Sequence, residues 1–252
     1  MTAFSIITVC RNSADVIGTC LESVASQTHL EIEHIVIDGA STDDTCKIID
    51  AFPHVAKRLS EPDQGLYDAM NKGIAMATGD VIGILNSDDF YPNTGIVAKV
   101  AKEFDDPAVD ATIGDIQFVS RTDLRRITRY CSAKGWSVDK FKDGIMPPHP
   151  AFFVRRRHYE RLGGYRTDYQ ISADFELLVR FLHNARLHYR YVPETVVFMR
   201  SGGASNASIG KRLLLNRETL RACRENGIET NMLRLGMRYF SKIWEFAPSL
   251  MR

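Results

Sequence analysis

Over the first ninety residues, short β-branched runs alternate with helix-patterned segments, and this alternation most constrains the fold. The run FSIITVC (4–10) is unbroken and apolar, the pattern of a strand buried on both faces. Asn12 and Ser13 are N-cap residue types, and after them Val16, Ile17, Cys20, Leu21 and Val24 recur at helical spacing. EHIVIDGAS (33–41) reads as a second strand ending in Asp38, and STDDTCKIIDAF (41–52) as a cap followed by a helix. GLYDAMNKGIAMATGD (65–80) is a further helix with a predicted apolar stripe through Leu66, Met70 and Ile74, and Gly79 as its stop. VIGILN (81–86) is the next strand. The order β-α-β-α-α-β predicts an α/β fold, a mostly parallel central sheet flanked by helices.

Ligands of such sheets bind beyond the carboxyl ends of the strands. Asp38 and the adjacent Asp88 and Asp89 fall at predicted strand ends, so three carboxylates are expected at one edge. Like charges repel, and burial makes the repulsion worse. A divalent cation, Mg²⁺ or Mn²⁺, would account for the pair, held by one or two carboxylates and by substrate phosphates. A hydrogen-bond donor from a ribose or base would account for the third acid. Asn86-Ser87-Asp88-Asp89 is also good turn chemistry, and a solvated turn is the competing reading. Asp43 and Asp44 suit a helix start through its dipole alone.

The second half is less regular. ATIGDIQFV (111–119) is a strand with Asp115 in its middle. PPHPAFFVRRRHYERLGGY (147–165) reads as a Pro-rich turn carrying His149, then a strand, then a helix ending at Gly163–Gly164. SADFELLVRFLHNA (172–185) is a helix with Ser172 as N-cap and Asp174 in its first turn, where an acid is favourable in any case. YVPETVVFMRSGGASNAS (191–208) is a strand and a Gly/Ser loop, and the remainder reads as helical.

Composition mostly excludes. Lys plus Arg is 32 against 31 Asp plus Glu, so the +1 balance gives no nucleic-acid footprint. Five cysteines at irregular spacing, with no C-x-x-C, disfavour a disulfide framework or structural zinc and fit a reducing cytosol. The N-terminus has no basic n-region, and no apolar run approaches the ~18 residues of a membrane span. The seven histidines show no metal-ligand spacing. SNASIGKR lacks the first glycine and the Ser/Thr of a phosphate loop, and no G-x-G-x-x-G, G-x-S-x-G or H-E-x-x-H occurs.

The string SIITVCRN…LESVASQT…EHIVIDGASTDDT…EPDQGLYDAMNKGIAMATGDVIGILNSDD resembles the family 2 glycosyltransferases of GT-A fold. Within them it is most similar to bacterial enzymes that build O-antigen, colanic-acid-type exopolysaccharide or glycolipid sugars, and DQGLYDAMNKGI is distinctive of that subgroup. The resemblance spans roughly residues 3–205. It implies a Rossmann-like catalytic domain over 1–205, with a nucleotide-sugar half (1–95) and an acceptor half (96–205). A helical extension follows over 206–252. It further implies that Thr8 makes a backbone contact to the nucleotide, that Asp38 binds base or ribose, and that Asp63 lies where the nucleotide pocket closes. SDD occupies the D-x-D position, with Ser87 in place of the first acid. Asp88 then belongs over the ribose and Asp89 on the metal, with Asp88 a second candidate ligand. Asp174 matches the catalytic base, preceded by Ala173 where the family usually has a second acid. Asp115 and His149 match positions lining the donor-sugar and acceptor pocket. The implied chemistry is a metal-assisted departure of a nucleoside diphosphate, with a carboxylate deprotonating the acceptor hydroxyl and inversion at the sugar.

Two other classes compete. A sugar-phosphate nucleotidyltransferase is disfavoured because no glycine precedes Gly18 after the first strand. A non-catalytic sugar-nucleotide or glycan-binding subunit is disfavoured by the acids at 38, 89 and 174. Near the C-terminus, Leu233, Met237, Phe240 and Trp244 share one helical face, with Arg234, Arg238 and Lys242 beside it. Such a helix either packs its apolar face on the catalytic domain or lies on an anionic membrane. The family's lipid-linked acceptors make the second the expectation: a cytoplasmic protein in peripheral contact with the inner membrane through 231–252.

Overall fold

The computed structural model describes residues 2–202 and 209–241, the side chains of 209 and 238–241 excepted. Strand β1 (Phe4–Cys10) is buried along its whole length. It pairs in parallel with β2 (Ile32–Asp38) on one side and β4 (Val81–Ile84) on the other. Its alternate residues serve two cores. Ile7 and Val9 pack with Ile35, Ile37 and Met70, whereas Phe4 and Ile6 pack with Cys20 and Val24. A strand sandwiched in this way is apolar on both faces, so its sequence does not alternate. Helix α1 (Ile17–Ala25) buries Ile17, Cys20, Leu21 and Val24, the residues its period singles out.

The whole sheet runs β3-β2-β1-β4-β8-β6-β9-β5, with β7 paired to β6. Here β3 is Val55–Ser60, β5 Asp89–Phe90, β6 Ala111–Val119, β7 Ile127–Cys131, β8 Phe153–Arg155 and β9 Tyr189–Arg200. The sheet is parallel from β3 to β4, as expected, and mixed beyond, because β8 runs antiparallel to both β4 and β6. Among the described residues no helix is long and apolar enough to cross a membrane.

Three local expectations need correction. Edge strand β3 lies between two helices that were read as consecutive, in a segment assigned to no element. It alternates half-buried Val55, Lys57 and Leu59 with exposed neighbours. Lys57 breaks the apolar pattern because its ammonium has partners there, Glu33 at 2.6 Å and the Met76 carbonyl at 2.7 Å. Helix α3 (Leu66–Met76) buries Tyr67, Ala69, Met70 and Gly73, and leaves Leu66 exposed. Gly73 turns that face inward, because any Cβ there would collide with Ile7. Gly79 does not stop the helix, which ends at Met76 with Ala77 extended. It lets two backbones approach: its N–H donates to Ser5 Oγ at 2.9 Å, and a Cβ would lie 2.7 Å from the Ser5 nitrogen.

The C-terminal part joins the core. Helix α7 (Ile209–Glu225) buries Ala222 and Cys223 in the cluster that contains Phe141, Trp136 and Phe175. Helix α8 (Met232–Ser241) buries Leu235, while Leu233 is 79% and Met237 62% exposed. The expected apolar face therefore points outward where its side chains are described. Lys242 and Trp244, and the side chains of Arg238 and Phe240, lie outside the described residues.

Candidate active site

The parallel strands deliver their acids to one edge. Cys10, the last residue of β1, stands opposite Asp38, the last of β2. The loops that follow hold Asn12 (φ 48°) and Ala40 (φ 55°) in the left-handed region. Non-glycine residues there are strained, and neighbouring contacts must hold them. Asn12 supplies these: its side-chain oxygen accepts from the Thr42 N–H at 2.8 Å, and its own N–H donates to Ser41 Oγ at 2.7 Å. Gly39 leaves room for Asp63, whose carboxylate occupies the space a Cβ would fill, with Arg11 alongside. Asp63 in turn accepts from the Gly65 N–H at 3.0 Å, just before α3. Asp63 and Arg11 thus lie beside Gly39, the residue that follows Asp38.

Asp38 is completely covered. It accepts hydrogen bonds from the Ser41 hydroxyl, the Ser41 N–H (3.0 Å), Ser60 Oγ (2.6 Å) and the Cys46 thiol (3.2 Å). Burial alone would raise its pKa, but these donors lower it below the ordinary carboxylate value. Protein hydroxyls therefore satisfy its charge. Thr8 lies inside β1, two residues before its end at Cys10. Its hydroxyl is turned inward to His34 Nε2 at 3.0 Å. His34 Nδ1 then lies 3.0 Å from His54 Nε2, and burial pushes the His34 pKa down to about 3.

Asp88 and Asp89 follow β4 at the same edge. Ser87 Oγ lies 3.0 Å from Ser13 Oγ, which links their turn to the loop after β1. Asp89 begins β5 and pairs with Met199 of β9, so it is buried rather than solvated. Its Oδ2 receives a 3.3 Å bond from the Asn86 amide, whereas its Oδ1 and the Asn86 Oδ1 are buried without a partner. Burial first, and the Asp88 charge second, push its pKa well above the usual value. Arg200 stays close but donates to the Asp88 carbonyl at 2.7 Å. Two inward-facing oxygens without donors suit a hard cation, which binds oxygen and completes its shell with phosphates and water. Among the described residues no three His, Cys, Asp or Glu side chains form a cluster that could hold a metal by themselves.

Asp174 occupies the first turn of α6 (Ala173–Leu178), half-buried, with its Oδ1 accepting from the Phe175 N–H at 2.8 Å. Burial raises its pKa to about 6 against these local bonds, and the Glu218 charge adds to the rise. Tyr67, in the first turn of α3, lies against it and hydrogen-bonds the Ile171 carbonyl. The start of α3 lies just beyond the carboxyl end of β3, so Tyr67 ties Asp174 to the edge that carries the other acids. Tyr67 stacks on Tyr165 with ring centroids 5.7 Å apart, and the Tyr165 hydroxyl meets His149 Nε2 at 2.6 Å. His149 is buried, with its pKa pushed down to about 4, and so is neutral at physiological pH. Asp115 is buried too, accepting from Tyr130, Tyr191 (2.9 Å), Ser132 (2.9 Å) and the Ala133 N–H (2.7 Å). It ties β6, β7 and β9 together.

Some residues of the site escaped the sequence reading. Asn71 clamps the Tyr165 backbone, accepting from its N–H and donating to its carbonyl, both at 2.8 Å. Tyr67 and Asn71 explain DQGLYDAMNKGI physically: one face of α3 packs on β1 while its polar side chains fasten the segment bearing Asp174. Glu218 also escaped, because nothing in the local pattern of α7 connects it to residues 170–172.

Comparison with known proteins identifies the family and the fold. The family model described as glycosyl transferase family 2 matches residues 5–166. A PGL/p-HBAD biosynthesis glycosyltransferase of Mycobacterium tuberculosis is 34% identical over 219 residues, covering 84% of this chain and 82% of its own. An uncharacterized glycosyltransferase of the same species is 34% identical over 179 residues, 70% of this chain and 67% of its own. Among solved structures, S. aureus TarS 1–349 with UDP-GlcNAc superposes with TM-score 0.67 at 17% identity, over 87% of this chain and 66% of that one. The mannosyltransferase PcManGT of Pyrobaculum calidifontis, with GDP-Man and Mn²⁺, gives TM-score 0.68 at 18% identity, over 98% and 72%. These structures share the GT-A fold, and with a family match over more than half its length the chain belongs to glycosyl transferase family 2.

Proposed function

We propose that this chain transfers a sugar, with inversion, from a nucleotide-diphosphate sugar to a hydroxyl of a glycan or lipid-linked glycan in the building of cell-surface polysaccharide or glycolipid. The observation that carries this reading is Asp174, a half-buried carboxylate whose pKa burial raises to about 6, packed against Tyr67 at the start of α3 just beyond the carboxyl end of β3. A general base works best with a pKa near the operating pH. Asp174 takes the acceptor proton as the acceptor oxygen bonds to the anomeric carbon. The bond from that carbon to the phosphate oxygen breaks, and the nucleoside diphosphate leaves. One base and one displacement give inversion without a covalent intermediate.

Asp89, with Asp88, would hold Mg²⁺ or Mn²⁺, which when bound supplies Lewis-acid charge to the departing diphosphate. The partnerless oxygens of Asp89 and Asn86 favour this assignment, and the Mn²⁺ beside GDP-Man in PcManGT is consistent with it. Asp38 and Asp63 would face the nucleoside, reached by its donors once Ser41 turns aside, and Thr8 would contact it through backbone. Asp115 and His149 would back the sugar and acceptor pocket. In this reading residues 1–95 form the donor half, 96–205 the acceptor half and 206–252 an extension. The exposed Leu233 and Met237 favour a cytoplasmic protein that rests this extension on the inner leaflet, with Arg234 already paired to Asp143. The full chain is expected to pellet with phosphatidylglycerol vesicles and to do so poorly after Leu233→Ser with Met237→Ser. Equal pelleting of both proteins would remove the membrane contact from the reading.

Calorimetric titration with UDP, GDP and dTDP, with and without Mn²⁺, tests the donor assignment. One nucleotide is expected to bind in a metal-dependent way, and a matching donor to release its diphosphate on turnover. Binding without turnover would indicate a sugar-nucleotide binding subunit, and no binding would remove the transferase reading.

A further inference from the structure

The segment leading into Asp174 is fastened on both sides. The Tyr67 hydroxyl of α3 holds the Ile171 carbonyl. From the other side, Glu218 of α7 accepts three consecutive backbone N–H groups, Gln170 (2.8 Å), Ile171 (2.9 Å) and Ser172 (2.9 Å). Glu218 is 7% exposed. Ser172 holds the N-cap position of α6 but makes no capping bond, and its hydroxyl is buried without a partner. Glu218 instead fastens the residues that lead into α6, the Ser172 N–H among them, from 46 residues away. Further along the same face of α7, Arg221 pairs with Asp168 and Glu225 accepts from Tyr169 at 2.8 Å. The Arg221–Asp168 pair is solvent-accessible and weak. A buried carboxylate bonded to three amides is not, since charge-assisted bonds in a dry site are the strong ones.

We propose that Glu218 is a positioning residue for Asp174: its carboxylate sets the backbone from which Asp174 projects and places a fixed negative charge behind it. The proposal rests on Asp174 being the base. The groups facing Asp174 are Tyr67 from α3, Tyr165 from the preceding loop and Glu218 from α7. Glu218 is the anion among them. Loss of its charge makes Asp174 easier to ionise, a weaker base at the pH where it must act. Loss of its bonds lets the first turn of α6 wander. A residue that merely stabilised the fold would do neither.

The test is ¹³C-carboxyl NMR of aspartate-labelled full-length chain, with Asp174→Asn giving the assignment, alongside UDP or GDP release from UDP-GlcNAc or GDP-mannose. Glu218→Gln is expected to lower the Asp174 pKa by about half a unit or more. It should also speed amide exchange at 170–172 and cut kcat about 10-fold or more, with donor KM unchanged. Glu218→Asp keeps the charge but shortens the reach; it should leave the pKa near wild type while speeding exchange, and it serves if Glu218→Gln does not fold. An unmoved Asp174 pKa in Glu218→Gln, or unchanged exchange in Glu218→Asp, overturns the proposal even if Asp174→Asn is inactive. An active Asp174→Asn overturns the base assignment instead.

Discussion

Asp174→Asn is expected to lower kcat about 10²–10⁴-fold, the usual worth of a positioned general base. Nucleotide binding should survive, because Asp174 sits in α6 rather than in the loops after β1, β2 and β4. The same substitution should stabilise the protein. The folded pKa of Asp174, about 6, lies above its ordinary value of 3.8. Such a group favours folding below the ordinary value, and that contribution is lost as pH rises through 6. At pH 7.5 the carboxylate is therefore a cost, and its removal should raise stability by about 1–3 kcal/mol. Below about pH 3 the gain should have vanished. Wild-type kcat should fall as pH drops through about 6, where the base takes up its proton. Thermal melts at both pH values, with kcat against pH, check this. An Asp174→Asn enzyme with near-normal turnover, or one less stable at pH 7.5, would contradict the assignment.

Asp89→Asn should abolish metal-stimulated nucleotide binding and reduce turnover about 10²–10⁴-fold, because the proposed cation would supply several kcal/mol of leaving-group stabilisation. In the absence of metal the variant should melt higher than wild type. It removes a buried charge whose Oδ1 has no partner, and neutral amides are far cheaper to bury than carboxylates. Adding Mn²⁺ should raise the melting temperature of the wild type with nucleotide present and leave Asp89→Asn unmoved. Metal-dependent binding that persists in the variant would place the cation elsewhere.

Much of this site was legible because strand ends are legible. The apolar runs FSIITVC, EHIVID and VIGILN stop where the residues turn polar, and parallel pairing then carries their ends to one edge. Asp38, Asp88 and Asp89 followed from that alone. Their environments did not. Asp89 is dry because β9, more than a hundred residues later, pairs with it, and Asp38 is satisfied because Ser60 ends a strand that the local pattern did not mark. β3 was missed because Lys57 sits on its inner face, and the partners that make this tolerable, Glu33 and the Met76 carbonyl, are not its chain neighbours.

The alternation of strands and helices, the edge to which the strand-end acids go and the family-like order of motifs were legible along the chain, because hydrophobic period and residue type are local properties. Tertiary structure alone decided which carboxylates are satisfied and which are left wanting, which face of α3 is buried, and that α7 reaches back through Glu218 to the segment that leads into Asp174. Those depend on burial and on hydrogen bonds between distant segments, and the free energy of a charged group is set by what surrounds it in space rather than by its neighbours along the chain.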